Sequence, residues 1–292
     1  MENIKINGYN DLQLNCYLYQ AQNAKAVVQI IHGMQEHALR YDDFAKFLVS
    51  KGYSVLVSDL RGHGLTAKSP EYFGVGEKDI FAETVEDQII INEYLKEQFN
   101  LPIYVFGHSY GSFITQKLTQ KLPRVKKFVI CGTANGSNPL YSFGGGLTNF
   151  LCLFGIKNKK ARLVENMSIN SYGKKFENGN WLSRDPEVWK KYRQDQFCGQ
   201  SFPFSFYQSM FKNLTKLNKG IKYISKDTQI LLIVGDKDPV GANAKQVIQL
   251  HNIYKKKGVN STLKVYKDAR HELLNELNKN EVYNDVIDFL EK

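Results

Sequence analysis

One serine of the chain has the sequence surroundings of a catalytic nucleophile. Ser109 stands between Gly107 and Gly111 in the sequence GHSYG, after the apolar segment Ile103–Phe106 and before the helical pattern Ser112–Leu122. A serine at such a strand-to-helix turn is lifted above the sheet edge, and only small residues fit on either side of it. The helix that follows favours negative charge at its N-terminus. The pattern predicts that Ser109 is a nucleophile.

Two histidines come after the later strands, and one of them has the position of a catalytic base. A serine needs a base, and the base needs a carboxylate that orients it. In proteins with this serine motif, the acid and then the histidine follow the serine along the chain. His271 follows the predicted strand Thr262–Tyr266, whereas His251 falls within a predicted helix. We therefore expect His271 to be the base.

The carboxylate partner has two candidates in the loop after the predicted strand Ile230–Val234. They are Asp236 and Asp238, in the sequence GDKDPV. Asp238 lies deeper in the loop, where Pro239 stiffens the backbone. Asp236 is more simply a turn residue beside a glycine. Loop geometry favours Asp238 and leaves Asp236 as the alternative.

Two backbone amides are needed to stabilise the oxyanion of an acyl-transfer intermediate. One is the amide of Tyr110, which follows the nucleophile. The other is expected from the loop HGMQEH after the third strand, where Met34 is the natural donor and Gly33 lets the backbone approach. His32 and His37 of this loop fit no place in the order of serine, acid and base, so we expect them to shape the loop.

The histidines and cysteines do not form the sequence pattern of a metal site. A zinc site of His32, His37 and His63 is a weak alternative, because their spacing does not place them on one helix face. The four cysteines show no close paired spacing, which favours reduced, mostly buried thiols. We expect no metal and no organic cofactor.

Strands alternate with helices through most of the chain, which predicts a mostly parallel sheet covered by helices on both faces. The predicted strands are Ile4–Ile6, Leu12–Tyr19, Ala26–Ile31, Tyr53–Ser58, Ile103–Phe106, Val125–Cys131, Ile230–Val234 and Thr262–Tyr266. Helices are predicted at Tyr41–Lys51, Ile80–Phe99, Ser112–Leu122, Ala242–Lys257 and Val282–Leu290. The alternation stops between Ala134 and Asp227. We expect a sheet domain of residues 1–134 and 227–292, with residues 135–226 inserted into it.

The net charge of +10 is confined to this insertion, residues 135–226. The insertion has 15 basic and 5 acidic residues, and the remainder of the chain is neutral. It also contains Trp181, Trp189 and many phenylalanines. Aromatic residues among lysines predict a surface for acyl chains or an anionic lipid membrane. An equally good interpretation is that the aromatic residues are buried within the insertion and that the lysines reflect a biased composition of the chain. No nucleic-acid-binding motif accompanies the charge.

Several motifs together resemble the monoacylglycerol lipase and lysophospholipase branch of the α/β-hydrolases, a family that includes serine aminopeptidase-like members. The motifs are HGMQEH, SDLRGHG, GHSYG, GDKDPV and ARHELLNE. The resemblance implies an α/β-hydrolase fold with an eight-stranded sheet and an inserted cap, and it implies Asp238 as the acid. It also maps the oxyanion donors onto Met34 and Tyr110.

The chain departs from this family at Gln35, where the family usually has a small residue. We therefore expect a more crowded entry to the loop HGMQEH, which we call the oxyanion loop. Asp59, Arg61 and His63 match the family's loop, and we interpret them as structural. One hypothesis pairs Arg61 with Glu36 beneath the site.

These observations predict a serine hydrolase that cleaves carboxylic esters of monoacylglycerols or lysophospholipids through an acyl-enzyme. A cap-gated aminopeptidase or a general carboxylesterase is the nearest alternative, and a non-catalytic binding module on the same fold is the alternative from another class. The N-terminal residues lack the apolar segment of a secretory signal. We expect a cytoplasmic protein without a nucleic-acid partner. The basic cap leaves a peripheral contact with an anionic membrane open as one of the two interpretations of its charge.

Overall fold

A single twisted sheet forms the centre of the molecule. The computed structural model describes residues 1–292 apart from the side chain of Ile169. The strands are β1 (Glu2–Asn7), β2 (Gln13–Tyr19), β3 (Ala26–Ile31), β4 (Tyr53–Ser58), β5 (Ile103–His108), β6 (Lys127–Cys131), β7 (Gln229–Gly235) and β8 (Asn260–Tyr266). Their order in the sheet is β1-β2-β4-β3-β5-β6-β7-β8. β1 and β2 run antiparallel to their neighbours, and the other pairs are parallel.

Helices cover both faces of this sheet. They are α1 (Asp42–Ser50), α2 (Ile80–Phe99), α3 (Tyr110–Leu118), α4 (Pro139–Leu153), α5 (Arg162–Met167), α6 (Ile169–Gly173), α7 (Pro186–Gln194), α8 (Phe204–Leu214), α9 (Lys245–Lys256) and α10 (Lys279–Glu291). α1 and α10 pack on one face, while α2, α3 and α9 pack on the other. The near-continuous apolar sequences of β3 and β7 follow from this burial on both faces. The predicted α/β-hydrolase fold is confirmed.

The insertion between β6 and β7 is helical. It contains α4 to α8, and α8 packs against α4 and against α2 of the sheet domain. Among its described residues the only bridge between extended segments joins Lys160 to Pro203. The sequence predicts no strand-helix unit in this segment, and its described residues form no β-strand between β6 and β7.

Two predicted boundaries near the serine are wrong. α3 begins at Tyr110 rather than at Ser112, and β5 continues to His108. The turn between them is therefore tighter than the sequence pattern indicates. Within the part of the chain that the structure describes, no helix combines the length and apolar character needed to cross a membrane.

Candidate active site

The loops that leave the carboxyl ends of the parallel strands meet at one edge of the sheet. In a sheet of this type, ligands bind in the crevice outside that edge. Residues from the loops after β3, β5, β7 and β8 line one cavity of about 590 Å³, together with residues of the insertion. The predicted residues Met34, Ser109, Tyr110 and His271 are all among them.

Ser109 occupies a strained turn between β5 and α3. Its φ of 53° and ψ of −118° lie outside the regions that non-glycine residues favour. Gly107 and Gly111 leave no room for side chains, because a Cβ on Gly107 would overlap the Thr115 hydroxyl and one on Gly111 would overlap the Ile31 carbonyl. The close packing explains why small residues flank the serine, whose half-buried side chain lines the cavity.

His271 and Asp238 are hydrogen-bonded. His271 Nδ1 lies 2.9 Å from Asp238 Oδ1, which also accepts a hydrogen bond from the amide of Val240. Asp238 is completely buried, and His271 is 2% exposed. The alternative acid, Asp236, lies instead 3.8 Å from the Lys237 ammonium. Since the Asp238 carboxylate accepts a hydrogen bond from Nδ1–H, the other imidazole nitrogen, Nε2, carries no proton and is available as a base.

His271 Nε2 is buried and, among the described residues, has no hydrogen-bond partner. The His271 ring is held between aromatic neighbours. The Trp181 indole lies with its ring centroid 5.0 Å away, and the His108 imidazole lies at 4.8 Å. A Cβ on Gly132 would approach Cε1 of the same ring to 3.1 Å. The imidazole is therefore confined to one orientation by packing on several sides.

The loop with the predicted oxyanion donor, Met34, is held in place by Glu36. The amide of Gly33 donates a 2.6 Å hydrogen bond to Glu36 Oε1. Gly33 is also close to Ser109, since a Cβ on Gly33 would lie 3.0 Å from Ser109 Cβ. Met34 and Tyr110 both line the cavity beside Ser109. The two predicted donor residues thus approach the serine from two different strand ends.

Glu36 belongs to a buried group of charges that connects this loop to Glu272, the residue after His271. Arg40 donates to Glu36 Oε2 at 2.7 Å and makes two hydrogen bonds of 2.7 Å to the Glu272 carboxylate. The Tyr41 hydroxyl lies 2.8 Å from both Glu36 Oε1 and His108 Nδ1. Burial disfavours the charged carboxylate, but Arg40 and His108 hold the pKa of Glu36 well below its usual range. Burial likewise opposes protonation of His108, and the Glu36 carboxylate raises its pKa overall.

The predicted pair of Arg61 and Glu36 is wrong. Arg61 instead makes two hydrogen bonds to the Asp87 carboxylate on α2, at 2.9 Å from Nε and 2.8 Å from Nη2. Glu36 is neutralised by Arg40, which follows it four residues later in the same loop region. Charge complementarity in the sequence could not distinguish between these carboxylates. Glu36 and Arg40 lie in a loop and a 3-10 turn rather than on one α-helix, so their spacing in the sequence gave no reliable signal for this pair.

His32 and His63 are buried beneath the site. His32 Nδ1 lies 2.7 Å from the Gly33 carbonyl, and His32 Nε2 accepts from the amide of Leu60 at 2.9 Å. Burial lowers the pKa of His32 to about 4 and that of His63 to about 3. His63 Nδ1 lies 2.9 Å from the Arg61 carbonyl. Both rings are therefore neutral, and their contacts hold backbone segments together.

In the described part of the chain, the weak zinc alternative of His32, His37 and His63 does not form one ligand set. His37 Nε2 points to the insertion instead, 2.8 Å from Asp195 Oδ2. The Cys198 thiol lies nearby, and the three ligand atoms are within 4.8 Å of one another. All four cysteines are free thiols. Sequence spacing gave no signal for this group, because its members come together only when the insertion packs on the loop.

The cavity is mostly apolar beyond the polar residues around Ser109. Its apolar lining residues from the insertion include Leu140, Phe143, Leu147, Val164, Met167 and Phe211. Its two lining carboxylates, Glu36 and Glu272, are both bound to Arg40. The cavity therefore suits an apolar chain that ends near the serine.

Known proteins with similar sequences are hydrolases. A family model described as serine aminopeptidase S33 matches residues 22–278 of the chain. Phospholipase YtpA of Bacillus subtilis is 22% identical over 279 residues, which cover 91% of this chain and 95% of that protein. Human monoglyceride lipase is 23% identical over 266 residues, 90% of this chain and 81% of the relative. A thermostable carboxyl esterase from Bacillus coagulans, solved in complex with glycerol, has the same fold. It superposes with a TM-score of 0.92 at 23% identity, over 99% of this chain and 97% of its own.

Proposed function

This chain belongs to the serine aminopeptidase S33 family of hydrolases, and we propose that it cleaves carboxylic esters of single-chain lipids through an acyl-enzyme. The observation that carries the proposal is the buried hydrogen bond between His271 and Asp238, with His271 lining the same apolar cavity as Ser109. The names of the relatives, a phospholipase and a monoglyceride lipase, support an ester of this kind.

In the proposed reaction, Ser109 attacks the ester carbonyl while His271 Nε2 takes the hydroxyl proton. Asp238 holds the imidazole and stabilises the imidazolium that forms. The amides of Met34 and Tyr110 donate to the oxyanion. Collapse of the intermediate breaks the ester bond, and His271 gives its proton to the leaving alcohol. A water deprotonated by His271 then attacks the acyl-enzyme, releases the carboxylic acid and restores Ser109.

Cleavage of aminoacyl amides, which the family description suggests, is disfavoured by the charges at the cavity. An aminopeptidase needs a carboxylate that is free to bind the substrate ammonium. Glu36 and Glu272 are both bound to Arg40. Glu165 of the insertion accepts hydrogen bonds from Ser201, Phe202 and Tyr207. Each of these three carboxylates is already committed to neighbouring donors.

The insertion, residues 135–226, is proposed to act as a lid over the sheet domain and as a membrane contact. Phe150 and Leu153 on α4 are 57% and 84% exposed, which leaves large apolar side chains in water. Lys157, Lys159 and Lys160 follow them and are also exposed. Apolar side chains beside lysines favour the interface of an anionic bilayer.

The reaction is tested with a panel of aryl esters, monoacylglycerols, lysophospholipids and aminoacyl amides. Wild-type protein is expected to turn over the first three classes. Ser109→Ala is expected to lower ester hydrolysis by about 10³-fold or more while the protein stays folded. Ser50→Ala, at an exposed serine on α1, is the matched control. Hydrolysis of aminoacyl amides alone, or an active Ser109→Ala, would refute the proposal.

The membrane contact is tested separately by sedimentation with phosphatidylglycerol and phosphatidylcholine vesicles. Binding is expected only to the anionic vesicles, and it should weaken at high salt. Phe150→Ser with Leu153→Ser should reduce it. Leu277→Ser is the control, because Leu277 is 67% exposed but lies in the sheet domain. Equal binding to both vesicle types would contradict the role of the lysines.

A further inference from the structure

Gln35 joins the oxyanion loop to the insertion through both its backbone and its side chain. Its carbonyl accepts hydrogen bonds from the Gly199 amide at 2.9 Å and from the Tyr192 hydroxyl at 3.1 Å. Its side-chain Nε2 donates to Glu165 Oε1 at 3.2 Å. All three partners belong to the insertion. Gln35 directly follows Met34, the proposed oxyanion donor, so any shift at Gln35 is transmitted to that amide.

Glu165 is the point where separate parts of the insertion meet. It is 5% exposed, and its carboxylate accepts from the Ser201 hydroxyl at 2.6 Å, the Phe202 amide at 2.9 Å and the Tyr207 hydroxyl at 2.9 Å. These donors come from the segment before α8 and from α8 itself. Gln35 is the partner that comes from the sheet domain. The hydrogen bond of Gln35 to Glu165 therefore connects the oxyanion loop to the centre of the insertion.

The backbone conformation of Gln35 indicates that its side chain has a specific role. Its φ is +59°, in the left-handed region that favours glycine and strains other residues. A glycine would relieve the strain but could not reach Glu165. The retained side chain is buried, at 7% exposure, and lines the cavity beside Met34.

We propose that Gln35 is a positioning residue that couples the placement of the insertion to the placement of the Met34 amide. When the insertion packs with Glu165 against Gln35, the amide is held where the oxyanion forms. When the insertion moves away, the strained loop loses its three hydrogen bonds and the amide is no longer fixed. The cavity thus becomes fully competent only when it is covered. This inference rests on the proposed function, because it takes Met34 as the donor.

The first test compares kcat and KM for a short aryl ester. Gln35→Ala is expected to lower kcat by about tenfold with a smaller change in KM, because it removes a hydrogen bond that fixes a transition-state contact. Gln208→Ala is the matched control, since Gln208 is a half-buried glutamine whose side chain donates to Asn149 within the insertion. A Gln35→Ala variant that changes KM alone would overturn the proposal.

The second test exchanges the two partners. Gln35→Glu places two carboxylates together, so its kcat should fall further than that of Gln35→Ala. The kcat of Gln35→Glu relative to wild type should rise as the pH is lowered from about 8 to about 5.5. The two close carboxylates raise the pKa of one of them, so that this carboxyl becomes protonated at the lower pH. Glu165→Gln added to Gln35→Glu restores an amide–carboxylate hydrogen bond and should recover most of the activity. An exchanged variant no more active than Gln35→Glu would refute the coupling.

Tryptophan fluorescence tests the coupling through Gln35 separately from the proposed ester hydrolysis. Trp181 and Trp189 are the two tryptophans, and both lie in the insertion. In a Trp189→Phe background, Trp181 reports on the insertion where it covers His271. Gln35→Ala is expected to increase acrylamide quenching of Trp181 by about twofold, whatever reaction the protein catalyses. Unchanged quenching would show that Gln35 does not hold the insertion. A wild-type protein inactive on every ester would remove the proposed function while leaving this measurement valid.

Discussion

The indole ring of Trp181 lies over the imidazole ring of His271, with ring planes 34° from parallel. The insertion thereby contacts the proposed base directly. Trp181→Ala is expected to lower kcat/KM for a short aryl ester by about tenfold, because the imidazole loses a packed neighbour and admits water. Trp189→Ala should change it little, since Trp189 stacks on Tyr192 instead. Steady-state kinetics of both variants would check this, and equal losses would contradict it.

Asp238→Asn should lower kcat by about 10³- to 10⁴-fold, because an amide no longer fixes the tautomer that leaves His271 Nε2 as the base. The fold should survive, since the amide keeps the shape of the buried side chain. Asp236→Asn is the paired control and should stay within about twofold of wild type. Burst kinetics with an aryl ester would measure both, and a large loss in Asp236→Asn would reassign the acid.

Arg40→Leu should destabilise the protein by about 3 to 5 kcal/mol, because it leaves Glu36 and Glu272 buried without their shared cation. The measurement is urea unfolding at neutral pH. Lys46→Leu removes an exposed cation that pairs with Asp42 on α1, and it should cost less than about 1 kcal/mol. A similar loss of unfolding free energy in the two variants would mean that the buried ion pairs of Arg40 contribute no more than the exposed pair of Lys46.

The buried histidines predict a loss of stability in acid. Burial lowers the pKa of His63 from its ordinary value of 6.5 to about 3 in the folded protein. Between these values the unfolded chain binds more protons, so the free energy of unfolding falls as the pH falls. The slope reaches about 1.4 kcal/mol per pH unit for one such histidine. Burial of His32 adds a second contribution in the same direction.

His63→Phe should make that slope shallower, since phenylalanine does not titrate and can pack against Phe202, the aromatic neighbour of His63. The free energy of unfolding would be compared at several pH values between about 7 and about 4.5. An unchanged slope would show that His63 does not contribute to the acid sensitivity.

The sequence predicted those parts of the molecule that depend on local patterns. The strand before Ser109 and the helix after it identify the turn, and the fold and hydrolase family expected from the motifs are confirmed. The apolar strands could be recognised because burial on both faces favours β-branched residues, which occupy four of the six positions of β3. The proposed catalytic roles of Ser109, Asp238 and His271 stay predictions for the experiments above.

Contacts between the insertion and the sheet domain could not be predicted. The hydrogen bond of Gln35 to Glu165 joins residues far apart in sequence, and neither residue type indicates the other. The wrong pairing of Arg61 has the same origin. Several carboxylates offer the same charge, and the three-dimensional position of α2 selects Asp87. Periodicity determines which residues face the core, but it does not determine which loops meet above it.

The place of the insertion between β6 and β7 also sets the order in which the site is completed during synthesis. A ribosome makes Ser109 early, then all of the insertion, and only afterwards Asp238 and His271. Parallel pairing of β7 with β6 must wait for this long intervening segment, which makes the pairing non-local and slow. The nascent chain therefore exposes the edge of β6 while the insertion emerges. With His271 as the proposed base, we expect hydrolytic activity only from a chain translated through β8 and the loop that follows it.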